Sequence, residues 1–491
     1  MREYSSQNRP GVNQRPLRDD ATLLDVYLRL LDEQRNEFTI PGHKRRAHLL
    51  DEGLGRLVDG DIPLYGGLDT IKQTNGALKR AEKRAAAFYK ADWCRFSTGG
   101  STHTNQALAL ALGHPGDAVI VSRSLHRSMF LGFVMADLRP VWLPTQIDSA
   151  SGLPLGTSFD DVATALASNP DAEAVVLTEP GYVGTMSDLA AITDLAHKCD
   201  VPVIIDQAWG AHFGAHPELP WHALAYGADA LVTSTHKLLV GYSQASVAAA
   251  RTERLDRDRL DRGFEATQTT SPAGTILASS DASRALMETR GVELFDHVLS
   301  LVRSARERLH HEVAGLLVPD ESTLPSGRFD PTRLIIQLAP LGADGVAIER
   351  QLLEHGVSFE SADRDTLLPI ITVADTNESV TALLDDLIPA LQGARGEPRD
   401  LSPALSWRVK PVQVLSPREA FFARHAHVES SMALGRVCAE LIAPYPPGVP
   451  VLAPGEVVTA ESLDGLLEVA RSGVRIAYAA DPTLSTIEVV A

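Results

Sequence analysis

Six short apolar runs in the middle of the chain constrain its fold more than any other feature of the sequence. Mostly helical segments separate these runs, which cover residues 118–121, 140–143, 174–178, 203–206, 230–234 and 246–250. Strands that alternate with helices predict a largely parallel sheet with helices packed on both faces. Such sheets bind ligands at the carboxyl ends of their strands, so the residues after each run are the first candidates for a functional site.

Further elements are predicted on either side of these strands. Apolar spacing predicts helices over residues 20–31, 76–89 and 280–302. Beyond residue 328, a smaller α+β unit is predicted from the runs 334–338, 344–355 and 368–372. A chain of 491 residues exceeds one ordinary domain. We therefore predict an N-terminal arm and helix, a large ligand-binding domain, a small α+β region and a C-terminal region, covering 1–45, 46–305, 306–395 and 396–491.

The composition narrows the function classes. Hydrophobic residues at 44% and charged residues at 22% are typical of a globular protein. The formal charge of -18 argues against a nucleic-acid partner, which requires a basic surface. No secretory signal is visible at the N-terminus, and no apolar run reaches the roughly 18 residues that span a bilayer. Cys94, Cys199 and Cys438 are widely separated and predict buried thiols in a reducing compartment, which we expect to be the cytoplasm.

A single lysine follows the fifth apolar run. In the stretch LVTSTHKLLVGYSQAS (231–246), Lys237 comes three residues after Ser234, at the predicted end of a strand. A lysine in isolation is ordinarily a solvated surface residue. A hydroxyl three residues before the lysine can instead hold a phosphate, while the amine condenses with an aldehyde of the same molecule.

Two other strand ends carry complementary groups. The turn 97–105 offers Gly99, Gly100, Ser101 and Thr102 before a helix, which suits a phosphate cradle or an ordinary helix cap. Asp206 ends a buried strand. Its carboxylate there either needs a partner that offsets its desolvation or caps a helix. A hydroxyl-rich turn, a carboxylate and a Schiff-base lysine are the groups that bind pyridoxal 5'-phosphate. Their order along the chain resembles the aspartate-aminotransferase fold, also called fold type I.

Several motifs make this resemblance more specific. They are PGHK (41–44), GSTHTN (100–105), SLHRS (124–128), DQAWGAH (206–212), STHKLL (234–239), SQAS (243–246), TTSP (269–272) and PYPPGVPVLAPGE (444–456). The chain resembles the short form of the ornithine/lysine/arginine decarboxylase family from about residue 20 to about residue 460. The resemblance implies an α/β protein of the PLP-dependent transferase fold type I, with a mainly parallel sheet flanked by helices and a smaller α+β C-terminal domain.

The resemblance also implies roles for individual residues. Lys237 would bind the cofactor covalently, and Asp206 would keep the ring nitrogen protonated. His126 would stack on the ring or, in the alternative, cap a helix at the surface. His236 would deliver or orient a proton beside the imine. The remaining cofactor-binding residues would be Gly100, Ser101, Thr102, Thr178, Ala208, Trp209, Ser234 and, from a second subunit, Thr270.

The implied reaction is decarboxylation of a basic L-amino acid, namely lysine, arginine or ornithine, to a diamine or polyamine precursor and CO2. Glu456, in the PGE turn, is the candidate residue for binding the distal cation of the substrate. The alternative is that Glu456 is a plain surface glutamate. Sites of fold type I are usually completed by a second subunit, so we expect a homodimer or a higher homo-oligomer. We expect no nucleic-acid or membrane partner.

Other interpretations remain open at this point. His212 and His216 lie four residues apart, but no third ligand is suitably spaced, so we predict no metal site. The same cofactor chemistry also serves transamination and oxidative deamination of amino acids. A binding or regulatory protein without activity could use the same scaffold, although Lys237, Asp206 and the phosphate hydroxyls together argue against it.

Overall fold

The computed structural model describes residues 17–33, 41, 43–49, 52–53, 58, 60–62, 68, 76–324, 328–400, 405–445, 448–471 and 474–491. Parts of several predictions lie outside these residues. They are the N-terminal arm up to residue 16, Gly42 of the PGHK motif, and Pro446 and Pro447 of the proline-rich motif. The structural statements below concern the described residues.

A seven-stranded sheet forms the centre of the molecule. Its strands are β1 (Trp93–Ser97), β2 (Ala118–Ser122), β3 (Arg139–Leu143), β4 (Ala174–Thr178), β5 (Val203–Asp206), β6 (Ala230–Ser234) and β7 (Ser246–Ala250). Their order in the sheet is β1-β7-β6-β5-β4-β2-β3. The five strands from β6 to β3 are parallel, whereas β7 runs antiparallel to both β6 and β1. The predicted, largely parallel sheet is therefore confirmed.

Helices cover both faces of this sheet. The helices up to the small α+β unit are α1 (Thr22–Asp32), α2 (Ala77–Tyr89), α3 (Gly100–Ala111), α4 (Arg127–Ala136), α5 (Phe159–Ser168), α6 (Leu189–Lys198), α7 (Thr235–Leu238), α8 (Arg257–Thr267) and α9 (Gly274–Glu312). Apolar residues of α1, α2, α5, α6 and the start of α9 bury one face of the sheet. Residues of α3, α4 and α8 bury the opposite face. Because both faces are covered, the central strands β2, β4, β5, β6 and β7 are apolar along most of their length, as the sequence pattern requires.

Helix α9 spans 39 residues and is longer than the predicted 280–302. It runs through the predicted domain boundary between residues 305 and 306. Its first turns pack on the large sheet, and its second half joins the core of the small α+β unit. The buried carboxylate of Asp281 also accepts a hydrogen bond from the backbone N–H of Leu23 at 2.9 Å. Helix α9 therefore connects the first helix of the chain, the large sheet and the small unit.

Two smaller units complete the chain. The first contains a three-stranded antiparallel sheet and two helices, β8 (Ile336–Gln337), β9 (Ser361–Ala362), β10 (Thr366–Leu368), α10 (Gly345–Leu353) and α11 (Asn377–Gly393). The second has its own apolar core and contains α12 (Leu405–Arg408), α13 (Pro417–Phe422), β11 (His425–Glu429), α14 (Ser430–Ala433), β12 (Ala443–Tyr445), α15 (Ala460–Arg471), β13 (Arg475–Ala477) and β14 (Thr486–Val490).

The structure tests two expectations about surface and compartment. Cys94 and Cys438 are buried free thiols, as predicted, but Cys199 is exposed because it lies at the C-terminal cap of α6. Among the described helices, none combines the length and the apolarity that crossing a bilayer requires.

Candidate active site

A cavity of about 480 Å3 lies at the carboxyl ends of the parallel strands. This is the edge at which open α/β sheets bind ligands. Eleven of the thirteen residues that the sequence assigned to the site line this cavity: Gly100, Ser101, Thr102, His126, Thr178, Asp206, Ala208, Trp209, Ser234, His236 and Lys237. The fold thus brings together residues that are up to 137 positions apart in the sequence, from Gly100 to Lys237.

Hydroxyl groups and a helix N-terminus meet at one end of the cavity. Gly100 begins α3 with a φ of +68°, a conformation that favours glycine, and this turns the chain sharply from β1 into the helix. Ser101 Oγ lies 2.6 Å from Ser234 Oγ, so the two hydroxyls form one polar patch with Thr102 beside it. The first N–H groups of a helix lack intrahelical acceptors, so this end can hold a phosphate.

Lys237 lies in α7, a single turn that follows β6 directly. Its amine is 3.9 Å from the ring centroid of Trp209. Desolvation lowers the pKa of Lys237 to about 8, and the nearby Arg333 acts in the same direction. The carboxylates of Asp206 and Glu360 oppose this shift. An amine with a lowered pKa is neutral in a larger fraction of molecules near pH 7 to 8, and only the neutral amine is a nucleophile.

Asp206, at the end of β5, is almost fully buried and held by two donors. Its Oδ2 accepts a 2.7 Å hydrogen bond from Asn105 Nδ2, and its Oδ1 accepts one from the backbone N–H of Ala208 at 3.1 Å. Neither donor carries a formal charge. These two contacts therefore leave the charge of the carboxylate uncompensated, and they fix its orientation from α3 on one side and from its own loop on the other.

His126 is connected to Asp206 through neutral side chains. Asn105 Nδ2 also donates to Ser128 Oγ at 2.9 Å, and Ser128 Oγ lies 2.7 Å from His126 Nδ1. The Ser128 backbone N–H donates to the same ring nitrogen, so His126 caps α4. Nδ1 is thus an acceptor, which places the proton of the neutral imidazole on Nε2. Desolvation lowers the pKa of His126, and the nearby Lys237 adds to this while Asp206 opposes it.

His236 has the opposite tautomer, with the proton of the neutral ring on Nδ1. Its Nδ1 lies 2.8 Å from the carbonyl oxygen of Ala245 and donates to it, so Nε2 is the acceptor in the neutral ring. Desolvation lowers the pKa of His236, and the adjacent Lys237 lowers it further, against the effect of the Ala245 carbonyl. Both histidines that line the cavity are therefore held as neutral rings in defined tautomers.

The cavity also contains polar atoms that lack a partner. The hydroxyl oxygens of Thr178 and Ser122 line it, are buried, and make no hydrogen bond with any described residue. An unpaired buried hydroxyl costs free energy and indicates a site that a ligand completes. Together with the carboxylate of Asp206, the paired serine hydroxyls and the amine of Lys237, these groups fit pyridoxal 5'-phosphate.

Two predicted site residues lie elsewhere. Thr270 is exposed on the segment between α8 and α9 and does not line the cavity of its own subunit. Glu456 is fully buried, and its carboxylate forms a bidentate ion pair with Arg123 at 2.5 and 3.0 Å. Its charge is therefore neutralised inside the chain, and the assignment of Glu456 to the substrate cation is contradicted.

The structure adds residues that the sequence did not single out. Asn105 belongs to a quoted motif, but its link to Asp206 appears only when α3 packs beside β5. Arg333 comes from the small α+β unit and lies 4.5 Å from the ring centroid of Trp209. It is buried; its Nε forms an ion pair with Asp330 Oδ2 at 3.4 Å, and none of its three guanidinium nitrogens makes a hydrogen bond in the described part of the chain. No local motif surrounds Arg333, so no pattern in the sequence marks it.

His212 and His216 have separate partners. His212 Nε2 lies 3.1 Å from Asp330, and His216 Nε2 lies 3.0 Å from Asp296. The two side chains thus contact different carboxylates, and each contact joins the large domain to a later segment. His310 and His311 lie exposed in the last turn of α9, as expected of a solvated helix face.

Comparison with known protein families assigns the chain. Residues 23–324 match the model of the Orn/Lys/Arg decarboxylase major domain, and residues 404–473 match the C-terminal domain of the same family. The chain belongs to the Orn/Lys/Arg decarboxylase family. The expected resemblance is thus confirmed, and with it an amino acid decarboxylase that uses pyridoxal 5'-phosphate.

Individual relatives support this assignment. The arginine decarboxylase of Bacillus subtilis is 31% identical over 463 residues, covering 92% of this chain and 94% of that protein. The constitutive lysine decarboxylase of Escherichia coli is 25% identical, covering 89% of this chain and 75% of that protein. The crystal structure of the lysine decarboxylase of Francisella novicida superposes with a TM-score of 0.80 at 22% identity and covers 96% of this chain and 81% of that one. This last comparison confirms fold type I.

Proposed function

We propose that the protein removes the α-carboxylate of a basic L-amino acid and releases CO2 and the corresponding diamine or polyamine precursor. The observation that carries this proposal is the placement of Lys237 and Asp206 in one cavity with the Ser101 and Ser234 hydroxyls. Among basic amino acids, L-arginine is the first candidate, because the B. subtilis relative that matches over 92% of the chain is an arginine decarboxylase.

Each cavity residue has a role in this proposal. When bound, pyridoxal 5'-phosphate accepts the electron pair that the departing carboxylate leaves behind. Lys237 would hold the cofactor through its amine, and Asp206 would keep a proton on the ring nitrogen, which makes the ring a better electron acceptor. Ser101, Thr102 and Ser234 would bind the phosphate. His126 would contact the ring, and as a neutral imidazole it would add no positive charge that competes with the protonated ring for Asp206.

Proton delivery is the remaining step. The carbon that loses CO2 must gain a proton, and the Lys237 amine is the group that would supply it. Lys237 has a pKa of about 8, so its amine carries a proton in a large fraction of molecules at neutral pH. His236 lies next to it in α7 as a neutral ring with its proton on Nδ1, so its Nε2 would orient the donor by accepting a hydrogen bond. General acids with a pKa close to the working pH transfer protons most effectively.

Replacement of the lysine tests the proposal. We expect Lys237→Ala to abolish CO2 release from L-arginine, L-lysine and L-ornithine and to remove the absorbance band of the lysine-bound cofactor, because Lys237 carries the only amine among the described residues that line the cavity. Lys198→Ala is the matched control, since Lys198 is exposed at the end of α6. Normal turnover by Lys237→Ala would contradict the proposal.

A second measurement separates decarboxylation from the other outcomes of the same cofactor. Transamination yields a keto acid without CO2, and oxidative deamination yields ammonia and peroxide. Incubation with the three basic amino acids, with mass detection of the amines and parallel assays for CO2, ammonia and peroxide, distinguishes the three reactions. We expect amine and CO2 in equal amounts.

We also propose a homodimer in the cytoplasm. The support for a second subunit is Thr270, which the family resemblance assigns to the phosphate but which lies outside the cavity of its own subunit. The support for a reducing compartment is that Cys94, Cys199 and Cys438 are free thiols. The amines formed by this reaction are precursors for polyamine synthesis.

A further inference from the structure

Three buried side-chain atoms that line the cavity have no hydrogen-bond partner among the described residues. They are the hydroxyl oxygens of Ser122 and Thr178 and the indole nitrogen of Trp407. A hydroxyl both donates and accepts hydrogen bonds, whereas the indole N–H only donates. Because an unpaired buried donor costs free energy, a ligand that brings an acceptor to it is bound more tightly. Trp407 therefore specifies the chemistry of its missing partner, which must be an acceptor.

Trp407 belongs to the C-terminal unit, where it lies in the short helix α12. Gly448 and Val449 of the same unit also line the cavity. The indole ring packs against an apolar cluster that includes Leu153 and Val183. Leu153 lies on the loop after β3, and Val183 lies on the loop after β4. The C-terminal unit thus closes the cavity on the side of these two loops, with the Trp407 N–H inside the wall.

The hydroxyls proposed for the phosphate lie at a different part of the sheet edge. Ser101 follows β1 and Ser234 ends β6, and both strands lie on one side of β5 in the sheet. The strands β3 and β4 lie on the other side of β5. Asp206, at the end of β5, is located between the two groups. The indole of Trp407 is therefore separated from the phosphate end of the cavity by the position of the cofactor ring.

The chemistry of the bound molecules then identifies the acceptor. The distal guanidinium or ammonium of a basic amino acid only donates hydrogen bonds, so it cannot pair with an indole N–H. In the proposed function the cofactor phosphate has the Ser101 and Ser234 hydroxyls as donors. The unpaired hydroxyl of Thr178 would serve the ring hydroxyl, since Thr178 ends β4 beside Asp206. The acceptor that remains is the α-carboxylate of the substrate.

The acidic side chains of the chain itself do not take this donor. Two carboxylates line the cavity, those of Asp206 and Glu179. Asp206 accepts hydrogen bonds from Asn105 and from the backbone of Ala208. Glu179 is buried and accepts from the backbone N–H and the hydroxyl of Ser187. Both carboxylates thus have donors of their own, and the indole N–H stays available to a ligand.

We propose that the Trp407 indole N–H donates a hydrogen bond to the α-carboxylate of the substrate and holds the group that leaves as CO2. This proposal rests on the proposed function. When the bond to the α-carbon breaks, its electron pair stays on that carbon and the departing group loses its negative charge. A neutral donor suits such a group, because a cation would stabilise the charge that the reaction must remove. Trp407 therefore contributes to substrate binding rather than to the rate of bond cleavage.

Replacement of the indole tests the proposal through KM and kcat. We expect Trp407→Phe to raise KM for L-arginine by a factor of about 10 to 100, the value of one hydrogen bond to a charged group. The kcat should stay within a factor of about 3, because the lost contact is no stronger in the transition state. Trp407→Leu, which also lacks the N–H, repeats the measurement with a smaller side chain. Trp221→Phe is the matched control, because Trp221 is 56% exposed.

The decarboxylation product separates this hydrogen bond from general packing, since the product lacks the carboxylate. Its dissociation constant, measured by titration of the cofactor absorbance, should be the same in Trp407→Phe and in the unmodified enzyme. Trp407→His keeps a ring N–H and should bind L-arginine more tightly than Trp407→Phe does, whereas a packing role alone predicts the reverse order.

Three results would overturn the inference: an unchanged KM in both Trp407→Phe and Trp407→Leu, equal weakening of L-arginine and of the product, or tighter L-arginine binding by Trp407→Phe than by Trp407→His. Absence of CO2 release by the unmodified enzyme from every basic amino acid would instead overturn the proposed function.

Discussion

Arg333 shows how one buried charge influences the reactive lysine. Its guanidinium lies on the ring of Trp209, which also contacts the amine of Lys237, and its Nε forms an ion pair with Asp330 at 3.4 Å. Two cations on one indole ring gain from its negative face but repel each other. Arg333 therefore favours the neutral form of the amine, in the same direction as the desolvation of Lys237.

This arrangement predicts a pH dependence. A neutral amine is required to bond to the cofactor aldehyde, so the rate at which the apoenzyme regains cofactor absorbance should rise with pH, with a midpoint near the Lys237 pKa of about 8. Arg333→Met removes a cation that lowers this pKa, so the midpoint should move to higher pH. Arg350→Met, an exposed arginine of α10, should leave the midpoint in place. A midpoint unchanged in Arg333→Met would show that Arg333 has no electrostatic role.

At the residue scale, sequence reasoning predicted the cavity lining where a group lies at a strand end. Lys237 and Asp206 could be placed in the cavity because a polar residue at the end of an apolar run is conspicuous and because strand ends share one edge of the sheet. Their roles toward the cofactor stay predictions. Glu456 was assigned wrongly because its partner, Arg123, lies 333 residues earlier in the chain. Glu360 and Arg333 come from the small unit and have no local pattern. Their relevance depends on how that unit packs, which periodicity does not encode.

The segment between β2 and α4 is held by the C-terminal unit. Arg123 is flanked by the cavity residues Ser122 and Ser124, and the same segment leads to His126. The Arg123 guanidinium binds both oxygens of Glu456 and lies 4.6 Å from the ring centroid of Trp142. A planar, bidentate pair fixes orientation as well as distance. The C-terminal unit thus positions the loop that carries His126.

Breaking this pair should destabilise the protein. Glu456→Gln leaves the buried Arg123 charge uncompensated, and we expect a loss of about 3–5 kcal/mol in the free energy of unfolding. Denaturant unfolding followed by circular dichroism measures the change. Glu461→Gln, an exposed glutamate in the first turn of α15, should stay within about 0.5 kcal/mol of the unmodified protein. Unchanged stability of Glu456→Gln together with a changed substrate preference would restore the original assignment.

Among the elements, strands were predicted better than helices. The bounds of β4, β5, β6 and β7 match the apolar runs because these strands are buried on both faces. The antiparallel direction of β7 could not be foreseen, since a buried strand shows the same composition in either direction. Helix α9 extends beyond its predicted bounds because it passes from one core into another, so its buried face changes partners along its length.

At the scale of the whole molecule, the exposed Thr270 predicts an assembly. If Thr270 contacts the phosphate of a neighbouring subunit, Thr270→Ala should retain less cofactor after dialysis, because one hydroxyl donor is lost. Analytical ultracentrifugation should record a species of twice the mass of one chain. Thr381→Ala, on the exposed side of α11, is the control and should retain cofactor normally. A monomer that keeps full activity would contradict this expectation.

The hydrogen bond between Leu23 and Asp281 has a consequence for synthesis of the protein. The two residues are 258 positions apart, and the Arg284 guanidinium also donates to the backbone carbonyl of Asp20. Ribosomes add about 5–20 residues per second, so helix α1 leaves the ribosome roughly 13–50 s before its partner in α9 exists. During that interval the apolar face of α1, with Leu23 and Leu30, can pack on α2 but lacks its partner residues in α9. The nascent chain therefore exposes apolar surface of α1 for tens of seconds. We expect chaperones that bind near the exit tunnel to contact this surface.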